Sequence, residues 1–177
     1  MVVLDNTFWT TGDGSSGTYT TTQDVNVTEG SLPDGKVLVI DAYTVTISAN
    51  YFKIHPDGEL HIQNGGSLVV SNNTKLTNTG IILDKTSDKT SDSNYSTQAI
   101  TIQSGGKINN GVSGFLLSNN PITDGSGNTI NTVSAEKNLN KSIEIKNGNT
   151  LQIQSSGRLN ILNGKTLTVE NGGSVTI

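Results

Sequence analysis

The sequence predicts an all-β fold: a single-stranded parallel β-solenoid of eight-residue strand–turn units, two or three to a coil. Three observations carry this. Apolar residues recur as i, i+2 pairs, which puts both side chains on one face of a strand. The pairs repeat at a step of eight residues, five times running, as Ile143/Ile145, Leu151/Ile153, Leu159/Ile161, Leu167/Val169 and Val175/Ile177. Turns rich in Gly and Asn separate them (NGN, SSG, NGK, NGG) and supply the positive φ at which the chain changes direction. A helix is excluded by the period and by a glycine in every unit.

Composition fits a narrow, regular core. Hydrophobic residues are 32% and charged residues 15% of 177, against the usual quarter charged. The chain is rich in Gly, Asn, Ser and Thr around a thin apolar set. Cysteine is absent, so disulfide and thiolate chemistry are excluded. A net charge of -4 argues against nucleic acid or an anionic membrane surface as partner. No apolar run reaches the length of a membrane span. The N-terminal stretch lacks the basic and long apolar regions of a secretion signal. The composition nevertheless favours a mature extracellular or cell-surface chain.

Residues 1–36 are predicted to form a capping or joint segment. They hold the only tryptophan, Trp9, with Phe8 and Tyr19 nearby. An open solenoid end exposes an uncovered core and unpaired backbone groups, which large aromatics can cover. Donation of this segment to a neighbouring subunit, or sugar stacking on Trp9, are the alternatives.

Residues 37–177 are predicted as the solenoid. Its early units are Val37/Val39, Val45/Ile47, Phe52/Ile54, Leu60/Ile62, Leu68/Val70 and Leu76, with Ile100/Ile102 and Ile108 after an interruption. Exact periods favour stacked coils over a meander, whose loops vary. The sixteen-residue recurrence of NGNTLQIQ and NGKTLTVE points to two units per coil; three remain compatible. Residues 84–97, with KTSD twice, read as a polar loop excursion. Residues 111–142 read as irregular, with Phe115, Leu116, Leu117, Ile122, Ile130, Val133 and Leu139 available for degenerate coils or a lateral cover.

The octads of 45–76 and 143–177 resemble those of bacterial surface, adhesin and fibre β-solenoids, with 98–110 a partial match. The resemblance concerns architecture and implies a stalk, filament or adhesive role without choosing among them.

Chemistry-bearing residues are sparse. His55 and His61 with Asp57 lack any strong metal-ligand spacing. Outward positions of the late octads are Glu144, Gln152, Asn160, Thr168 and Thr176, a single carboxylate, so no acid/base pair is expected there and the chain is not read as an enzyme. Asp124, Ser126 and Asn128 alternate in DGSGN, a faint calcium-loop pattern without its terminal Glu, so a structural calcium near Asp124 is the weak exception to an expectation of no cofactor. The strongest functional expectation concerns assembly. A solenoid end can pair with another coil, and a head-to-tail contact that does not close yields a filament. The expected assembly edge is Leu167, Val169, Val175 and Ile177 at one end, with Val175 and Ile177 packed in the core, and Phe8 and Trp9 at the other. The expected function is an extracellular fibre subunit, a head-to-tail homopolymer; the alternative is a stalk or glycan- or surface-binding module of a larger adhesin.

Overall fold

In the computed structural model, residues 2–84, 99–111, 114–117, 132–133, 136–139, 142–145 and 150–177 are described. The fold is a parallel β-solenoid with three strands per coil. After β1 (Val2–Leu4) and a five-residue helix α1 (Asn6–Thr10), the coils begin with β2 (Thr18–Thr20) and β3 (Val25–Leu32). The next coil is β4 (Val37–Asp41), β5 (Thr44–Ile47) and β6 (Tyr51–Ile54). It is followed by β7 (Glu59–Gln63), β8 (Ser67–Val70) and β9 (Lys75–Asn78), then β10 (Ile81–Asp84), β11 (Ile100–Ile102) and β12 (Lys107–Asn110), with β13 (Phe115–Leu117) last. Strands stack into three parallel walls. One is β2-β4-β7-β10-β13, the second runs β3-β5-β8-β11, and the third β3-β6-β9-β12, with β3 bending through the corner between the last two.

The rise from one coil to the next settles the number of sides. Leu38 pairs with Leu60 after 22 residues, Val45 with Leu68 after 23 and Phe52 with Leu76 after 24. Three octads therefore make a coil, not the two that the sixteen-residue recurrence favoured. The recurrence reflects similar turns on different walls. Leu68 pairs with Ile100 after 32 residues, so the ladder keeps its register across a longer step. Of the excursion predicted over 84–97, Asp84 ends β10 and the rest lies outside the described residues.

The core is the inward column of each wall. Leu38, Ile40, Val45, Ile47, Phe52, Ile54, Leu60, Ile62, Leu68, Val70 and Leu76 are buried. One predicted pair is out of register: Leu38 and Ile40 face inward, while Val37 and Val39 stand half-buried on the outer face. A one-residue shift reverses every side chain of a strand, and a run of four apolar residues, VLVI, does not reveal its phase. The segment expected as a cap is also shorter than 1–36, because β2 and β3 already form the first coil.

Polar side chains link the coils from outside. Asp24 Oδ1 accepts from the Thr44 amide at 2.8 Å and Asp34 Oδ1 from the Asp57 amide at 3.0 Å. Among the described residues Thr21, Thr74, Asn78 and Asp84 are buried polar side chains, and Asn78, stacked on Ile54, is fully buried. Its Nδ2 donates to Asn110 Oδ1 (2.8 Å) and the Phe115 carbonyl (2.9 Å), and its Oδ1 accepts from the Gly80 amide (3.1 Å). Fully partnered, it avoids the penalty of a buried unsatisfied amide.

A second segment repeats the three-sided plan. It comprises β14 (Thr132–Val133), β15 (Glu136–Leu139), β16 (Ile143–Ile145), β17 (Thr150–Ile153), β18 (Arg158–Ile161), β19 (Leu167–Val169) and β20 (Ser174–Thr176). Its walls are β14-β17-β20, β15-β18 and β16-β19, with rises of 22 residues at Glu136–Arg158 and 24 at Thr150–Ser174. The repeat thus resumes within the region expected to be irregular. Among the described residues no strand of this segment pairs with the first. The two segments join through side chains instead. Ile81, Phe115 and Leu117, on the outer face of the β2-β4-β7-β10-β13 wall, form one apolar cluster with Val133, Leu139, Ile143, Ile145 and Leu151. Lys137 Nζ donates to the Gly111 and Asn110 carbonyls across the same junction. Burial there lowers its pKa from the usual lysine value.

Candidate functional site: a closed end, an open end and an intersegment cleft

The N-terminal end is closed. Asp5 caps α1, its carboxylate accepting from the Phe8 amide at 2.9 Å. This first turn drives Trp9 under the first coil, where it is 1% exposed and its Nε1 donates to the Ser31 carbonyl at 2.9 Å. Phe8 packs edge-on against both Trp9 and Tyr19, with centroids 5.0 Å apart in each case. Burial, reinforced by the Asp13 charge, raises the Tyr19 pKa. Strand β1 lies parallel on β3, and Leu4 meets Gly30 so closely that a Cβ there would sit 2.2 Å from the Leu4 carbonyl oxygen. Gly30, at φ 114°, is the one residue type that serves this corner. Trp9 is thus a core residue of its own chain. It offers no face for sugar stacking, although β1 and β2 remain the terminal strands of their walls at this end.

The C-terminal end is open. Of the expected assembly edge, Leu167 and Val175 are half-buried, Val169 is 46% exposed and Ile177 is 99% exposed. Ile161 on the same coil is 49% exposed. The expectation that Ile177 packs in the core fails, and Val175 is only partly covered. Both belong to the last described coil, and a core side chain needs coils on both sides. Strands β18, β19 and β20 are each the last in their wall, so each has an unpaired backbone edge.

Between the segments lies a cleft of about 230 Å³. One wall is the outer face of β7, β10 and β13, contributing Glu59, His61, Leu83 and Leu117, with Asp84 at its margin. The other is the outer face of β16 and β19, contributing Glu144, Thr166 and Thr168, with Ser142 beside them. His61 Nε2 lies 2.9 Å from Glu59 Oε2; the carboxylate only accepts, so the ring nitrogen donates. Ser142 Oγ accepts from the Thr166 amide at 3.1 Å. The sequence identified His61 and Glu144 as outward residues. It did not bring them together, because they are far apart along the chain and on different segments. The signal it held was the apolar outer face of VLVI and IIL, which a second layer must cover.

The remaining expectations are placed as follows. His55 is half-buried at a corner and Asp57 exposed, and among the described residues no group of three or more His, Cys, Asp or Glu is arranged to hold a metal ion. Asp124, Ser126 and Asn128 lie outside the described residues, as do Ile122 and Ile130. No described helix is long and apolar enough to cross a membrane. Comparison with protein-family models, with curated proteins and with solved structures finds no match for this chain.

Proposed function

We propose that this chain is a non-enzymatic structural module of an extracellular stalk or fibre: a capped β-solenoid end that makes its joint through the C-terminal coil. The observation that carries the reading is the asymmetry of the ends. Both ends carry terminal strands, but Trp9 and α1 cover the core at one, whereas the other leaves Ile161, Val169 and Ile177 exposed beside the edges of β18, β19 and β20. Such edges are templates for a further parallel coil, supplied by more chain or by another molecule. The polar outer surface, rich in Asn, Thr and Ser, supports a setting outside the cell.

A head-to-tail homopolymer is not favoured, because Trp9 and Phe8 already cover the apolar core on which a joint at the first coil would pack. Copies of the chain then meet open end to open end, and growth stops at pairs. Analytical ultracentrifugation and electron microscopy of the chain, beside Ile161→Asp/Val169→Glu, test this. Concentration-dependent pairs joined at their ends, lost in the variant, are expected. A chain that stays monomeric up to about 1 mM, equivalent to less than about 4 kcal/mol of association, overturns the joint. Adhesive binding is the second reading, favoured by the cleft.

A further inference from the structure

We propose that the cleft between the two solenoid segments binds a single sugar ring that is uncharged or carries an amine. The first argument comes from two side-chain columns on the outer face of the long wall. Ladder register stacks Val37, Glu59, Ile81 and Phe115 in one, and Val39, His61, Leu83 and Leu117 in the other. Each column is apolar on β4, β10 and β13 and polar on β7, and also on β2, where Thr18 and Thr20 stand at the end of the wall. Glu59 and His61 break the apolar face together, on β7, where the cleft opens. A contact serving only to hold the segments together would continue the apolar face there, as Ile81 and Phe115 do. The two are hydrogen-bonded to each other at 2.9 Å, so they stand on that face as a polar pair at the mouth of the cleft.

The second argument is complementarity. Carboxylates only accept hydrogen bonds, while Thr hydroxyls donate and accept. A sugar ring presents hydroxyls, which do both. Glu59 and Glu144 approach from opposite walls, with Thr166 and Thr168 beside Glu144. Hydroxyl donation to an ionised carboxylate is among the stronger neutral-ligand contacts. Leu83 and Leu117 supply an aliphatic floor for a C–H face. A cleft of about 230 Å³ lies below the range of about 300–1,000 Å³ typical of drug-sized pockets, so it takes one ring and not a chain of them. Three carboxylates, Glu59, Asp84 and Glu144, outweigh one imidazole. Sugar acids and sugar phosphates are therefore repelled, and an amine is favoured over a neutral ring.

The proposal is independent of the joint at the C-terminal coil. Backbone NMR of the intact chain, titrated with methyl glucosaminide, methyl glucoside and methyl glucuronide, tests it. Shifts confined to β7, β10, β16 and β19 are expected, largest for the glucosaminide, smaller for the glucoside and absent for the glucuronide. Glu144 is exposed, so Glu144→Gln leaves the core untouched and is expected to weaken glucosaminide binding by about tenfold or more. Ile161→Asp/Val169→Glu is expected to leave it unchanged. No shift with any of the three, equal binding of the glucuronide, or undiminished binding by Glu144→Gln would overturn the site.

Discussion

Replacing Trp9 with Ala tests whether the N-terminal end is closed by this one side chain. Trp9 is 1% exposed, so truncation opens a cavity directly under Val25, Val27 and Leu32. Removing a buried Trp costs about 3–5 kcal/mol. Within that sits the indole bond to the Ser31 carbonyl, net about 0.5–1.5 kcal/mol, and the edge-on pair with Phe8, about 0.5–1.5 kcal/mol. Trp9→Phe keeps most of the packing and loses the bond, so it is expected to cost less than Trp9→Ala by about 2 kcal/mol or more. In a solenoid each coil depends on its neighbours, so the loss is local at first. Hydrogen exchange is expected to show protection falling in Thr18–Leu32 while β7 to β9 stay protected. Gly14→Ala supplies an orthogonal test with the tryptophan retained. Its Cβ would lie 2.4 Å from Trp9 Cε3, so the ring must move. As the only tryptophan of the chain, Trp9 reports that movement as a red-shifted emission. Uncapping also exposes the first coil as a partner for the open last coil, so Trp9→Ala is expected to lengthen pairs into filaments under the electron microscope. A Trp9→Ala chain within about 1 kcal/mol of the wild type in urea, with unchanged protection of the first coil, refutes the cap.

Three further outcomes follow from the same geometry. Leu38→Ala is expected to cost about 2–5 kcal/mol and Val39→Thr about 0.5 kcal/mol, because Leu38 is buried and Val39 half-buried; the reverse order in urea melts would restore the register first read from the sequence. Ala42 is exposed at φ 59°, a region that disfavours a Cβ, so Ala42→Asn is expected to raise stability by about 0.5–1 kcal/mol, measured by thermal melting; no gain removes the strain argument. The folded Lys137 pKa is depressed by burial, so its stability contribution is fully present above the ordinary lysine value and is lost as pH falls through the folded value; the Tm gap between wild type and Lys137→Met is expected to grow in favour of wild type as pH rises toward 10.5, and a constant gap refutes the buried-amine reading.

Local pattern made most of the solenoid legible. The pairs from Val45/Ile47 to Leu60/Ile62 alternate cleanly with polar residues, so one face is unambiguous. The strand Val37–Asp41 was misphased because it is apolar on both faces, and only its neighbours decide which face is inside. The count of three sides was hidden because turns on different walls share the same Asn and Gly chemistry, demanded by the same positive φ, as at Asn64 and Gly65. Trp9 was legible as a cap because a lone large aromatic next to an open end has one cheap place to go. The cleft was not legible, since its walls meet through tertiary packing that no local spacing encodes.

The junction between segments has a physical cause in that same wall. A solenoid whose outer face is polar can extend indefinitely, because each new coil gains ladder bonds and leaves nothing apolar behind. Here Ile81 and Phe115 face outward, and left in water they would weaken the wall. The second segment covers them with Val133, Leu139 and Ile143, and among the described residues it takes up no ladder bond with the first. Among the described residues, what holds one segment to the other is thus a side-chain interface rather than a backbone ladder. The same junction brings the outer face of β7, β10 and β13 beside Glu144, Thr166 and Thr168 and leaves the cleft, so the wall that the second segment covers is also the wall on which Glu59 and His61 stand.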